Sequence, residues 1–245
     1  MTAHATEVPP QPGPARRAAV IARFPVGLAV STTRYLRSRR HVRRSEEAGD
    51  ASDLPPELDP RRVDGRLKTV DDGAGPLLHR LFRIHVRDAR LDAAGLFDTL
   101  VPDLDRAAPS EVVSFRKQRG RLGELAPGDE YRVRMPAPWD GPVRVVDRTP
   151  TSFRFATLRG HLEAGQIEFR ADDRGGDLTF EIETWSRPGD RAAALVFDRL
   201  LLAKEIQLHM WSQFALSVAS FAGGHRDGPV TVHTRRARWS GVRRH

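Results

Sequence analysis

The chain has 245 residues, 39% hydrophobic and 29% charged, enough to bury one sizeable core and leave tails outside it. It contains no cysteine, which excludes disulfides, thiolate nucleophiles and thiolate metal sites. The net charge of +8 sits at the ends: residues 1–50 carry nine Arg against four acids, and residues 225–245 six Arg against one, so the middle is slightly acidic. A near-neutral body with basic ends argues against specific nucleic-acid binding. Only Lys68, Lys117 and Lys204 are lysine, a skew that resembles coding bias more than selected phosphate recognition.

Residues 1–17 are Pro-rich and polar and read as a disordered tail. Residues 18–44 join an apolar run to Arg-rich sequence. The run is too short to span a bilayer, and Arg23 and Pro25 interrupt it, which also argues against a signal peptide. Two readings stay open for it. It docks on the domain as a short helix, or it makes peripheral contact with an anionic membrane through Phe24, Val26 and Leu28 and the arginines that follow. The expected location is cytoplasmic, with that contact on the inner face of the membrane. Residues 45–75, acidic and Pro-containing at their start, read as a linker.

From Leu81 the pattern has period two: Phe82, Ile84 and Val86 share one face, Arg83, His85 and Arg87 the other. Residues 89–104 read as a helix ended by Val101-Pro102. Strands are expected over 111–119, 130–135, 142–148, 152–158, 165–172 and 178–186, separated by breaks that hold Gly or Pro. In the last two, Ile167, Phe169, Phe180 and Ile182 point one way and Glu168, Arg170, Glu181 and Glu183 the other. The glutamates therefore read as a solvated face rather than an acid/base set.

Residues Asp190 to Ala222 run without Gly or Pro, started by Pro188-Gly189 and stopped by Gly223-Gly224. A helix of that length spans roughly 50 Å, across the whole of a domain this size. Helical projection gathers Glu205, His209, Ser212, Gln213 and Ser220 on a polar side, where His209 reads as an ordinary solvated histidine. Met210, Trp211, Phe214 and Val218 lie on an apolar side. Lys204 and Gln207 project from the apolar stripe, so each needs a partner, structural or ligand. The fold class that follows is α+β: a curved antiparallel sheet of about six to seven strands gripping a long C-terminal helix, over residues 76–224. Residues 225–245 read as a basic tail, in which Val230–Val232 adds at most a short strand.

The chain has no P-loop, GxGxxG, GxSxG or HExxH motif, and its nine histidines lack ligand spacing, so no metal or cofactor is expected. Two loops stand out. Residues 135–142 set Trp139 in a stiff Pro-rich turn, to cap the core edge or wall a pocket mouth. Residues 159–165 place His161 and Glu163 between glycines, either incidentally or at a cavity entrance.

Gly160, His161, Glu163 and Gly165 before one strand, then Ser186, Arg187 and Pro188 before the terminal helix, resemble the pattern of the uncharacterised DUF1990 family. That family is similar to the START-like, polyketide-cyclase-like (SRPBCC) helix-grip superfamily. The resemblance implies a cavity between sheet and helix able to hold an apolar molecule, and it carries over no catalytic residue. The expected function is binding of a hydrophobic or amphipathic small molecule or lipid without catalysis. Lys204, Gln207, Met210, Trp211, Phe214, Trp139, His161 and Glu163 are the cavity candidates. The alternatives are a cyclase- or hydrolase-type enzyme using His161, Glu163 or Lys204 in the same cavity, or a membrane-associated interaction module held by residues 18–44.

Overall fold

A computed structural model describes residues 41–108, 113–134, 140–173, 175–189 and 202–239. Strand β1 (Val42–Ala48) is followed by β2 (Leu77–Arg87), helix α1 (Ala93–Leu100), β3 (Ser114–Arg119), β4 (Glu130–Arg134) and β5 (Asp140–Thr149). Then come β6 (Ser152–Thr157), β7 (Glu163–Asp172), β8 (Leu178–Pro188), helix α2 (Leu202–Ala222), β9 (His225–Arg226) and β10 (Val230–Ala237). They form one ten-stranded sheet in the order β1-β10-β2-β8-β7-β6-β5-β4-β3, with β9 on β2.

The period-two reading holds where the strands are half-buried. In β2, Phe82 and Ile84 are fully buried, and Ile182 and Phe180 lie beside them on β8 in antiparallel register. Phe153, Phe155 and Phe169 carry the same inner surface across β6 and β7, with the Phe153 and Phe169 rings stacked 4.7 Å apart. Helix α1 starts where Asp92 caps it, its carboxylate accepting from the Gly95 amide at 2.7 Å. Its Leu96, Phe97 and Leu100 close one end of the core. Helix α2 lies on β2, β8 and β10. The fold is a helix-grip arrangement, as the sequence led us to expect.

The sheet is wider than six to seven strands. The additions come from segments with little apolar alternation: none in β1 or β9, and in β10 only Val230 and Val232. Strand β1 is exposed along nearly its whole length and pairs in parallel with β10, the one parallel pair among the described strands. Strand β10, in the stretch read as a tail, runs between β1 and β2. Backbone hydrogen bonds hold such edge strands without asking for an apolar face.

The widened sheet changes the surroundings of the helix. His209 and Ser212, assigned to a polar, solvated side, are buried at 8% and 1% exposure. A projection of the helix alone divides it into two sides, but a sheet extended by β10 encloses more of its circumference. Gln213 is half-buried and Ser220 exposed, as a solvent-facing strip requires.

Residues 49–75, read as linker, cross the outer face of the sheet as a belt. Asp53 meets His79 on β2 at 2.7 Å, the Pro56 carbonyl accepts from Gln166 on β7 at 3.0 Å, and Leu58 packs beside Leu67, Val146, Ala156 and Leu158. Further on, Asp64 accepts from Arg144 at 2.8 Å and Arg66 forks onto Glu130 at 2.7 and 2.8 Å. Sparse apolar anchors in acidic sequence hide such a belt from composition alone.

Candidate functional site

The inner face of the sheet carries its polar groups at one end, where β7 begins. Gly160, at φ 97°, turns the chain into the loop that presents His161. The ring lies against Gly141, where a Cβ would come within 2.5 Å of Nε2, so only glycine leaves it room. His161 Nδ1 accepts from the Glu163 backbone amide at 2.9 Å, which places the ring proton on Nε2. The Lys68 ammonium donates to the His161 carbonyl at 2.7 Å. Burial, with the Lys68 charge, pushes the imidazole down to about 4, so it is neutral at pH 7.

Glu163 opens β7 and turns its carboxylate inward. Oε1 accepts from the Ser186 hydroxyl on β8 at 3.1 Å, and Oε2 accepts from Gln207 Nε2 on α2 at 2.8 Å. The other end of the Gln207 amide accepts from Arg80 Nη1 on β2 at 2.8 Å. Gln207, the polar residue on the wrong side of the helix, thus ties β2 and β7 to α2. Burial pushes the Glu163 carboxyl up, opposed by the Arg80 charge and the Ser186 and Gln207 hydrogen bonds. Burial also pulls Arg80 down. Gly165 lets β7 and β8 approach here, since a Cβ on it would meet the Trp185 carbonyl oxygen.

These groups border a cavity of about 60 Å³, walled on its apolar side by Phe115, Val133, Val143, Phe155, Met210 and Trp211. At roughly 30 Å³ per water, that is room for about two, against the 300–1,000 Å³ of ordinary ligand pockets. The aromatic side chains of the core fill much of the space between sheet and helix. Trp211 Nε1, on the cavity wall, and Arg80 Nε, in the network beside it, are buried donors with no hydrogen-bond partner among the described residues.

The structure brings His161, Glu163, Gln207, Met210 and Trp211 to this cavity. Phe214 sits in the core behind it, against Phe180 and Phe169. Trp139 and the Lys204 side chain lie outside what is described, as do residues 18–40 and residues 190–201 of the expected helix. His161 and Glu163 do not form an acid/base dyad, because the ring bonds the glutamate's backbone and not its carboxylate. Sequence reasoning missed Arg80, and it named Ser186 only within the family pattern and not as a cavity residue. Arg80 had a signal, since it falls on the inward parity of Phe82 and Ile84, one residue before the strand expected from Leu81.

The outer face is a second constellation. Arg170 pairs with Glu168 at 3.2 Å, with Glu181 at 2.5 Å and with Glu183, while Arg83 pairs with Glu181. His79 bridges Asp53 at 2.7 Å and Glu183 at 2.6 Å, its ring stacked 5.4 Å from Trp185. The glutamates expected on a solvated face are therefore half-buried members of an ion-pair lattice. An open groove of about 720 Å³ runs over part of it, but its arginines are already committed to carboxylates. Among the described residues no group of His, Asp and Glu has a metal-holding arrangement, and no helix is long and apolar enough to cross a membrane.

Residues 96–214 match the model of the family described as Domain of unknown function (DUF1990), in agreement with the resemblance carried by Gly160, His161, Glu163 and Ser186–Pro188. No curated protein matches the chain. Among solved structures, norcoclaurine synthase from Thalictrum flavum aligns at 10% identity and a TM-score of 0.42, over 69% of this chain and 97% of that one. Ara h 8.0201 aligns at 13% identity and 0.40, over 59% and 97%. The ginseng major latex-like protein 151 from Panax ginseng aligns at 16% identity and 0.32, over 54% and 97%.

Proposed function

With residues 96–214 read as a DUF1990 domain, we propose that the chain binds a small amphipathic molecule in the inner cavity, without catalysing its conversion. The observation that carries this reading is the polar end of that cavity. Glu163, Ser186 and Gln207 converge there from β7, β8 and α2, and the Trp211 indole N–H beside them lacks an acceptor. A ligand's acceptor oxygen would accept a hydrogen bond from Trp211 Nε1, and its short apolar body would lie against Phe115, Val133 and Met210. Met210, with three rotatable bonds, is the wall residue best able to yield the extra volume such a ligand needs. The neutral His161 ring shapes the entrance rather than moving protons.

The test is native mass spectrometry of the chain purified from cells, followed by identification of any adduct after denaturation. The variant Val143→Phe, which fills the cavity from its apolar wall, serves as comparison. A stoichiometric small-molecule adduct in the parent and none in the variant supports the reading, provided the variant still melts cooperatively. Bare masses for both, with no shift in melting temperature on adding short-chain fatty acids or phenols at millimolar concentration, overturn it. A ligand at about 100 times its Kd would raise stability by about 2.7 kcal/mol, an effect easily read.

A further inference from the structure

Strand β1 pairs with β10 along one side and has no strand on its other side among the described residues. Its residues Arg43 to Ala48 are exposed. Read outward from Ser45, the strand is two arginines toward its start, Arg44 and Arg43, and two glutamates toward its end, Glu46 and Glu47. We propose that this edge is a self-complementary docking surface for a second copy of the chain, joining two ten-stranded sheets antiparallel across a two-fold axis at Ser45.

The register follows from symmetry. A two-fold axis perpendicular to the sheet keeps the inner faces of both copies on the same side, and it must pass through a residue rather than between two. Centred on Ser45, it sets Arg44 opposite Glu46 and Arg43 opposite Glu47 of the second copy, and the same pairs in reverse. Moving the centre by one residue brings Arg44 against Arg44 or Glu46 against Glu46. A parallel, in-register arrangement opposes every charge to its like. Directly opposed residues have their Cβ atoms about 4.5–5.5 Å apart, within reach for ion pairs.

Charged edge strands ordinarily deter pairing. Here the charges are sorted into two blocks, which rejects other registers and admits one. The contacts already made from β1 leave the side chains accessible: Arg44 bridges to Glu205 at 3.0 Å with its side chain 35% exposed, and Glu47 meets His233 and Arg235 at 3.0 and 3.1 Å with 53% exposed. Each retains room for a partner across the edge. One seven-residue strand gives a small interface, so the dimer is weak and concentration-dependent.

The test is sedimentation of the whole chain from about 10 to 500 µM, a range that brackets weak association. The weight-average mass should climb from 27.4 kDa toward twice that value. The double variants Arg43→Glu/Arg44→Glu and Glu46→Arg/Glu47→Arg should each lose association by at least about tenfold. Mixed in equal amounts they should form a heterodimer, and the quadruple variant exchanging both blocks should regain the homodimer. Restoration by mixing distinguishes lost pairing from misfolding. A parent chain that stays monomeric, as when some other segment occupies the edge, overturns the proposal. So do double variants that associate like the parent, or a mixture that fails to associate.

Discussion

On the inner face Glu163 meets two neutral donors, Ser186 and Gln207, whereas on the outer face Glu183 meets His79 and Arg170. Burial pushes both carboxyls up. Glu163 stays raised, because Arg80 acts on it only through the Gln207 amide and across a distance. Glu183 ends below its ordinary value, because the His79 hydrogen bond and the adjacent Arg170 outweigh burial. Glu168 shows where the balance turns: it too has Arg170, but burial and the Glu183 charge leave it raised. The side of the sheet does not decide the state of a glutamate. For these three, the balance between burial and the cations each one touches does.

The sharpest way to break the inner arrangement is Gln207→Leu. It leaves the Arg80 guanidinium and the Glu163 carboxylate without their shared amide, both in enclosed positions. The expected loss is about 3 kcal/mol, or roughly 6–12 °C in Tm for a chain of this size. Denaturant unfolding would check it, and a loss under about 0.5 kcal/mol would show that Gln207 is not a structural tie. On the outer face the corresponding change is Arg170→Met. It takes the shared cation from Glu168, Glu181 and Glu183, leaving Glu181 with Arg83 and Glu183 with His79, and Arg170 itself is one-third exposed, so about 1–2 kcal/mol is expected at pH 7. The penalty should shrink as pH falls toward about 4, where the carboxylates protonate and their repulsion fades. A pH-independent penalty would mean that the loss is one of packing.

These contrasts bear on what the sequence made legible. The inner face was readable, since Phe82, Ile84, Phe180 and Ile182 alternate cleanly, and a long run without Gly or Pro forecast α2. Gln207 announced itself as a polar residue in an apolar stripe, though its partners did not, because Arg80 and Glu163 lie 127 and 44 residues away. The outer face was misread because alternation identifies which side chains point out and not what crosses over them. The belt that covers His79 and Gln166 carries few apolar residues. Its hold comes from Asp53, Asp64 and Arg66 through charges and from Pro56 through a backbone carbonyl. Strand β1 and the far half of β10 escaped for a related reason: their pairing rests on backbone hydrogen bonds, which a side-chain pattern does not record, whereas Val230 and Val232 marked the start of β10.

The smallest effect expected is also the one that separates the two faces by sign. Burial pulls the His79 imidazolium down, but the hydrogen bonds and charges of Glu183 and Asp53 more than offset it, and its pKa is raised. The groups around it are Asp53 from the belt, Glu183 on β8, Arg170 on β7 and Arg235 on β10, which also reaches Asp53 at 3.2 Å. A raised imidazole pKa contributes stability that is fully present below the unfolded value of about 6.5 and drains as pH rises through the folded value. His79→Gln should therefore cost about 1 kcal/mol near pH 6 and much less near pH 9. His161 runs the other way. Its pKa lies near 4 in the folded protein, so His161→Gln should remove a pH dependence found only on the acid side, between about 4 and 6.5, where the parent gains stability as pH rises. Melts of both variants from about pH 4 to pH 9 decide the matter. If His79→Gln cost the same at every pH, the clamp between belt and sheet would be held by shape and hydrogen bonding alone, and proton sensing in the outer lattice would be left to its carboxylates.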